Sequence, residues 1–140
     1  MKKLYFLDAN VFLRFLTGDD EQIAEDCRIL IQRAVRGKIR LMTHPLILAE
    51  VVWVLESYYK LPRREIAEKL QLILNTPGLK VTEEDAFAQA VELYAGHRID
   101  FADCFAAAIT QLEGAHLVSY DRDYDKIANL KRVAPGEVKF

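Results

Sequence analysis

Short apolar runs alternate with longer stretches of helical spacing along the whole chain, and Gly, Pro and Asp mark most of the joins. Lys3–Leu7 reads as a short buried strand that stops at Asp8. Residues 10–16 are too densely apolar for a surface helix and close on Thr17 and Gly18. Ile23, Cys27, Leu30, Ile31 and Ala34 then follow helical spacing behind Asp19 or Asp20 as a cap, and Gly37 ends that helix. Residues 39–42 predict a second strand. Pro45 stands at a first-turn position of the next helix, which carries Glu50. Leu61 and Pro62 interrupt, and Ile66, Leu70, Ile73 and Leu74 mark an amphipathic helix from Arg63 to Leu74. Thr76-Pro77-Gly78 is a turn before a strand at 79–81. Thr82 to Asp85 resembles a capping box, with Asp in place of the usual Glu or Gln, opening a helix to about Ala95. Asp100 is a candidate cap for a helix from Phe101 to Leu112. A strand at 116–118, an acidic loop and an edge strand at 131–133 complete the chain.

Strands alternating with helices favour a parallel sheet covered on both faces. In such sheets ligands bind beyond the carboxyl ends of the strands. Asp8 and Asp121 each follow a strand on that side. The 140 residues fit one compact domain, 1–140. A domain of this size buries roughly 70% of the surface its unfolded chain exposes, so it needs no disulfide or structural metal. Cys27 and Cys104 match no zinc or redox spacing and read as buried thiols in a reducing compartment, with cytoplasm the default. The apolar stretch at the start is short and ends in a charge, which fits neither a signal peptide nor a membrane span. A net charge of −2 means that any polyanion must be held by local patches or metal ions.

The chemistry concentrates in acids set among apolar residues. Glu50 lies in a run, Leu46 to Leu55, that is otherwise free of polar side chains, and its neighbours at helical spacing (Leu46, Ile47, Trp53, Val54) are apolar. A carboxylate buried there requires a cation or strong donors. A structural ion pair, for example with Arg14, is one answer and a bound metal the other. Asp8 reads equally as a helix cap. Asp103 falls in the first turn behind Asp100, where a helix terminus favours negative charge. The following Ala106, Ala107 and Ala108 suggest close helix packing. Asp121, Asp123 and Asp125 also fit a solvated turn; Asp121 is preferred because it comes first after the strand, and Asp125 is a candidate cap. Carboxylates gathered in one place repel unless cations lie between them. Oxygen ligands alone favour Mg²⁺ or Mn²⁺ over zinc.

None of the three histidines falls in a ligand motif. Arg14, Arg36, Lys38, Arg40, Lys60, Arg63, Arg64, Arg98 and Arg122 lie near the acidic positions in sequence. They read either as solubilising charge or as a rim that holds a phosphate backbone.

Four segments, in order, carry a family resemblance: Leu7-Asp8-Ala9-Asn10-Val11-Phe12-Leu13-Arg14, Leu48-Ala49-Glu50-Val51, Asp100-Phe101-Ala102-Asp103-Cys104-Phe105-Ala106-Ala107, and Ser119-Tyr120-Asp121-Arg122-Asp123-Tyr124. Together they resemble the motifs of PIN-domain ribonucleases, and most closely the VapC-type toxins of toxin–antitoxin pairs. The resemblance implies a three-layer α/β/α fold with a short central parallel sheet flanked by helices. It implies that Asp8, Glu50, Asp103 and Asp121 bind Mg²⁺ or Mn²⁺ and support hydrolysis of single-stranded RNA, assisted by Asn10 and Ser119. Asp123 is the alternative to Asp121. A homodimer and a small cognate antitoxin are further implications. Other readings are an RNA-processing nuclease without an antitoxin, a non-catalytic RNA- or protein-binding module, an Asp-nucleophile phosphatase and a receiver-type domain. The phosphatase normally needs a second Asp where Asn10 stands, and the spacing of the other acids does not support a receiver.

Overall fold

The computed structural model describes residues 2–139. Its chain packs as two compact units, one up to Glu84 and one from Asp85 onward. The first contains β1 (Leu4–Phe6), α1 (Ala9–Thr17), α2 (Glu21–Val35), β2 (Arg40–Thr43), α3 (Pro45–Ser57), α4 (Arg63–Leu74) and β3 (Leu79–Val81). Its strands form one sheet in the order β1-β2-β3. Both pairings are parallel, with Tyr5 opposite Leu41 and Met42 opposite Lys80. The carboxyl ends of β1 and β2 therefore lie side by side. They are fastened there: the Leu7 N–H donates to the Met42 carbonyl (2.8 Å) and the buried Thr43 hydroxyl donates to the Leu7 carbonyl (3.1 Å).

Local chemistry explains most boundaries. Gly18 takes a left-handed conformation (φ 69°) and its N–H donates to the Arg14 carbonyl, which ends α1. Asp20 caps α2 through a bond from the Ile23 N–H. Gly78 turns the chain into β3 at φ +83°, and a Cβ there would drive into the Ala34 carbonyl of α2. Only glycine meets both demands. His44 caps α3 by accepting from the Leu46 N–H at 3.0 Å, ahead of Pro45. Thr82 does not form the expected capping box. Its hydroxyl is buried without a hydrogen-bond partner, and Glu83 enters the left-handed region (φ 53°) before the next helix.

Two burial expectations need correction. Glu50 is exposed. Helix α3 turns Leu48, Val51, Val52 and Leu55 into the core, while Leu46 and Trp53 remain 74% and 64% exposed on the side that carries Glu50. A helix apolar all round gives no periodicity from which the buried face can be read. Likewise β1, at one edge of its sheet, is half-exposed (Leu4 48%, Tyr5 43%, Phe6 55%).

The second unit contains α5 (Glu84–Gly96), which opens at the junction, then α6 (Phe101–Leu112), β4 (Leu117–Val118), a 3₁₀ turn (Arg122–Lys126), β5 (Arg132–Val133) and a last 3₁₀ turn (Pro135–Glu137). β4 and β5 pair in parallel. Ala107 and Ala108 are fully buried, as the small-residue run suggests, and Phe101 meets Phe87 and Tyr94 edge-on at 5.6 and 5.7 Å. Cys27 and Cys104 are both buried thiols, and the Cys104 Sγ–H points at the Ile99 carbonyl.

Candidate active site

Asp8 follows β1 directly and is the N-cap residue of α1, yet its side chain makes no capping bond. Capping therefore does not account for it. Glu50 is likewise without a hydrogen bond or ion pair among the described residues. Arg14, a conceivable partner for it, instead donates to the Asp19 carbonyl at 3.3 Å. Helices α1 and α3, which carry these two acids, pack against each other. Asn10 is exposed on the first turn of α1. The first unit thus presents two solvent-facing carboxylates with all their oxygen lone pairs available.

In the second unit Asp103, Asp121, Asp123 and Asp125 each have a local partner. The Tyr124 hydroxyl donates to Asp103 Oδ1 at 3.0 Å. Asp121 caps the 3₁₀ turn, accepting from the Asp123 N–H at 2.9 Å, and its own N–H donates to Ser119 Oγ at 3.0 Å. Asp121 thus combines the cap role considered for Asp125 with a remaining free oxygen. Asp125 is instead held by Arg132 at 2.8 and 3.1 Å, which keeps its carboxyl below the usual range. Asp123 pairs with Lys126 at 3.1 Å. Asp100 is the N-cap residue of α6 but makes no side-chain cap bond. His97 folds back on the helix before it, Nδ1 lying 3.0 Å from the Leu93 carbonyl.

Tyr124 is the participant that sequence reasoning missed as an individual residue. It is 7% exposed. Burial first, then the hydrogen bond to Asp103 and the charges of Asp103 and Asp121, push its hydroxyl up to about 12. It stays protonated and so remains a donor to Asp103 over the whole physiological range. The only signal in the sequence is an aromatic at the end of the last motif.

The basic residues do not form the single rim that their sequence positions suggest. Lys38 precedes β2 and Arg40 is its first residue, so both lie at the amino end of the sheet, away from Asp8. Arg63 is engaged with Glu56 at 3.9 Å and Arg64 with Glu68 at 3.8 Å.

The donors suit a hard divalent cation, being oxygen throughout, and Asp8 and Glu50 have no internal use for their charge. Within either unit, two of the four acids are on hand, and no cluster of three or more His, Cys, Asp or Glu side chains is formed among the described residues.

The model of the PIN domain matches residues 5–130 and runs through both units. The chain belongs to the PIN domain family. Its fold is accordingly the α/β class with parallel strands that the sequence predicts. A VapC ribonuclease of Aquifex aeolicus (strain VF5) is 29% identical over 132 residues, covering 94% of this chain and 96% of that protein. Among solved structures, VapBC2 from Rickettsia felis bound to a DNA fragment from its promoter matches at 19% identity and a TM-score of 0.37, covering 94% and 98% of the two chains. That superposition is too loose to carry weight. No helix among the described residues of this PIN-domain protein is long and apolar enough to cross a membrane.

Proposed function

We propose that this PIN-domain protein is a Mg²⁺- or Mn²⁺-dependent endoribonuclease that cuts single-stranded or loop RNA, and that it is the toxin of a toxin–antitoxin pair. The observation that carries the reading is the pair Asp8 and Glu50, two acids in family motifs whose carboxylates have no partner inside the described protein. The near-full-length likeness to a VapC ribonuclease supports the substrate class.

In this reading Asp8, Glu50, Asp103 and Asp121 hold the metal. When bound, the metal would lower the pKa of a water and offset the charge that builds on a phosphodiester. The protein's own contribution is orientation. Tyr124 donates to one Asp103 oxygen and leaves the other free, and the Asp123 N–H does the same for Asp121. Asn10 and Ser119 supply neutral polar groups beside Asp8 and Asp121 in sequence, and Arg14 and Asp100 flank the same motifs. The toxin assignment adds two partners, a second copy of the chain and a small antitoxin that blocks the acids.

The test is cleavage of a single-stranded RNA with and without Mg²⁺. Asp8→Asn is expected to abolish Mg²⁺-dependent cleavage while leaving the fold intact. Unchanged cleavage by that variant overturns the assignment. Co-expression with any short reading frame lying just upstream tests the toxin role: neutralisation of growth arrest is expected, and no arrest on expression of the enzyme alone favours a processing nuclease.

A further inference from the structure

The end of the sheet opposite Asp8 carries a concentration of positive charge that the proposed chemistry does not use. Lys2, Lys3, Tyr5, Lys38, Ile39 and Arg40 line one cleft of about 690 Å³ at the amino ends of β1 and β2. Four of these six are cations and none is an acid, in a chain whose net charge is −2. The parallel register puts Leu4 opposite Arg40, so the lysines before β1 meet the basic residues that lead into β2. The Arg40 guanidinium reaches the Lys2 carbonyl at 3.4 Å, which holds the two segments together. Among the described residues none of the four makes an ion pair, whereas Arg28, Arg63, Arg64, Lys126 and Arg132 each do. Four like charges around one concavity repel each other, and an anion with several charges relieves that repulsion best. Tyr5, 43% exposed in the same lining, adds a ring face for a base.

We propose that this amino-edge cleft is a second contact for the RNA strand, holding its phosphates by Lys3, Lys38 and Arg40 with Tyr5 as a stacking surface. The proposal rests on the ribonuclease reading and says where the strand is held away from the acids. From Lys3 to Asp8 is five residues of extended chain, about 17 Å at roughly 3.3 Å each. Single-strand-binding surfaces engage roughly 4–16 nucleotides, so one strand spans both ends of the sheet. The arrangement supplies affinity without sequence preference, since phosphates carry no base information.

The experiment measures binding of a fluorescent single-stranded RNA by anisotropy, against salt, in the full chain carrying Asp8→Asn to prevent cleavage. Adding Lys3→Gln, Lys38→Gln and Arg40→Gln is expected to weaken binding roughly ten- to a hundredfold at 0.1 M salt. It should also lower the slope of log K against log salt by about 2, at roughly 0.7 for each phosphate contact on a single strand. The charge-conserving set Lys3→Arg, Lys38→Arg and Arg40→Lys should retain the slope, which a merely structural role would not require. Lys38→Gln alone, the mildest variant, should lower it by about 0.7 and covers the case in which the triple variant misfolds. A slope unchanged by neutralisation overturns the cleft while leaving the nuclease reading intact. Residual Mg²⁺-dependent cleavage by Asp8→Asn overturns that reading instead, and absence of any RNA binding overturns both. A loss confined to duplex DNA or anionic vesicles, with RNA unaffected, also refutes the proposal.

Discussion

The four acids divide into two pairs that differ in one respect. The carboxylates of Asp8 and Glu50 have no hydrogen bond or ion pair among the described residues, while those of Asp103 and Asp121 are each fixed by a donor. A carboxylate with no internal partner contributes nothing to folding that a neutral isostere would not. A carboxylate that caps a turn or anchors a buried tyrosine does two jobs. Substituting the first pair should therefore separate function from stability cleanly, and substituting the second pair should not.

The largest expected effect is on cleavage by Asp8→Asn, a loss of about 10³-fold or more, because several kcal/mol of metal-ion stabilisation depends on the ligand set. Its thermal midpoint should remain within a degree or two of the parent, at roughly 0.5 kcal/mol or less. A large fall in midpoint would erase the contrast. Glu50→Gln should behave in the same way, with weaker Mn²⁺ binding and unchanged stability; equal Mn²⁺ affinity for both proteins would remove Glu50 from the site.

Tyr124→Phe sharpens the other side. Removing the donor that orients Asp103 should lower metal affinity or turnover by about 10–100-fold, the usual consequence of losing a partner behind a ligand. The same variant has a pH signature. The hydroxyl is held up to about 12, above its unfolded value, so its contribution to stability is complete below pH 10 and is lost as pH rises towards 12. Unfolding curves from pH 8 to pH 12 should show an alkaline loss in the parent that is reduced in Tyr124→Phe. Identical curves would mean that the tyrosine carries no such linkage. A smaller effect is expected from Asp121→Ala, which removes a cap and should cost about 1 kcal/mol. Asp8→Ala should cost close to nothing, since no capping bond is lost. Denaturant midpoints for the two variants decide that comparison.

Much of the fold was legible because its boundaries are set by local chemistry. The helices Arg63–Leu74 and Phe101–Leu112 lie where the sequence puts them, although neither has a side-chain cap bond. Three features were not legible. The face of α3 could not be read because its apolar residues surround the helix, so Glu50 was expected inside and lies outside. His44 falls in no ligand motif and histidine is an uncommon cap, yet its ring accepts the Leu46 N–H. The position of Lys38 and Arg40 depends on parallel pairing with β1, a long-range fact that places them with Lys2 and Lys3 at the far end of the sheet. For the site, the motifs point to all four acids, but only coordinates reveal that two are tethered and two are not. Tyr124 was hidden because its role rests on a contact made twenty-one positions away.

The most direct measurement is calorimetric titration of Mn²⁺ into the parent protein, Asp8→Asn and Asp103→Asn. One acid comes from each pair and each unit. If the four carboxylates serve common cations, both variants lose affinity to a similar extent. Tight Mn²⁺ binding that survives either substitution unchanged would contradict a shared metal site.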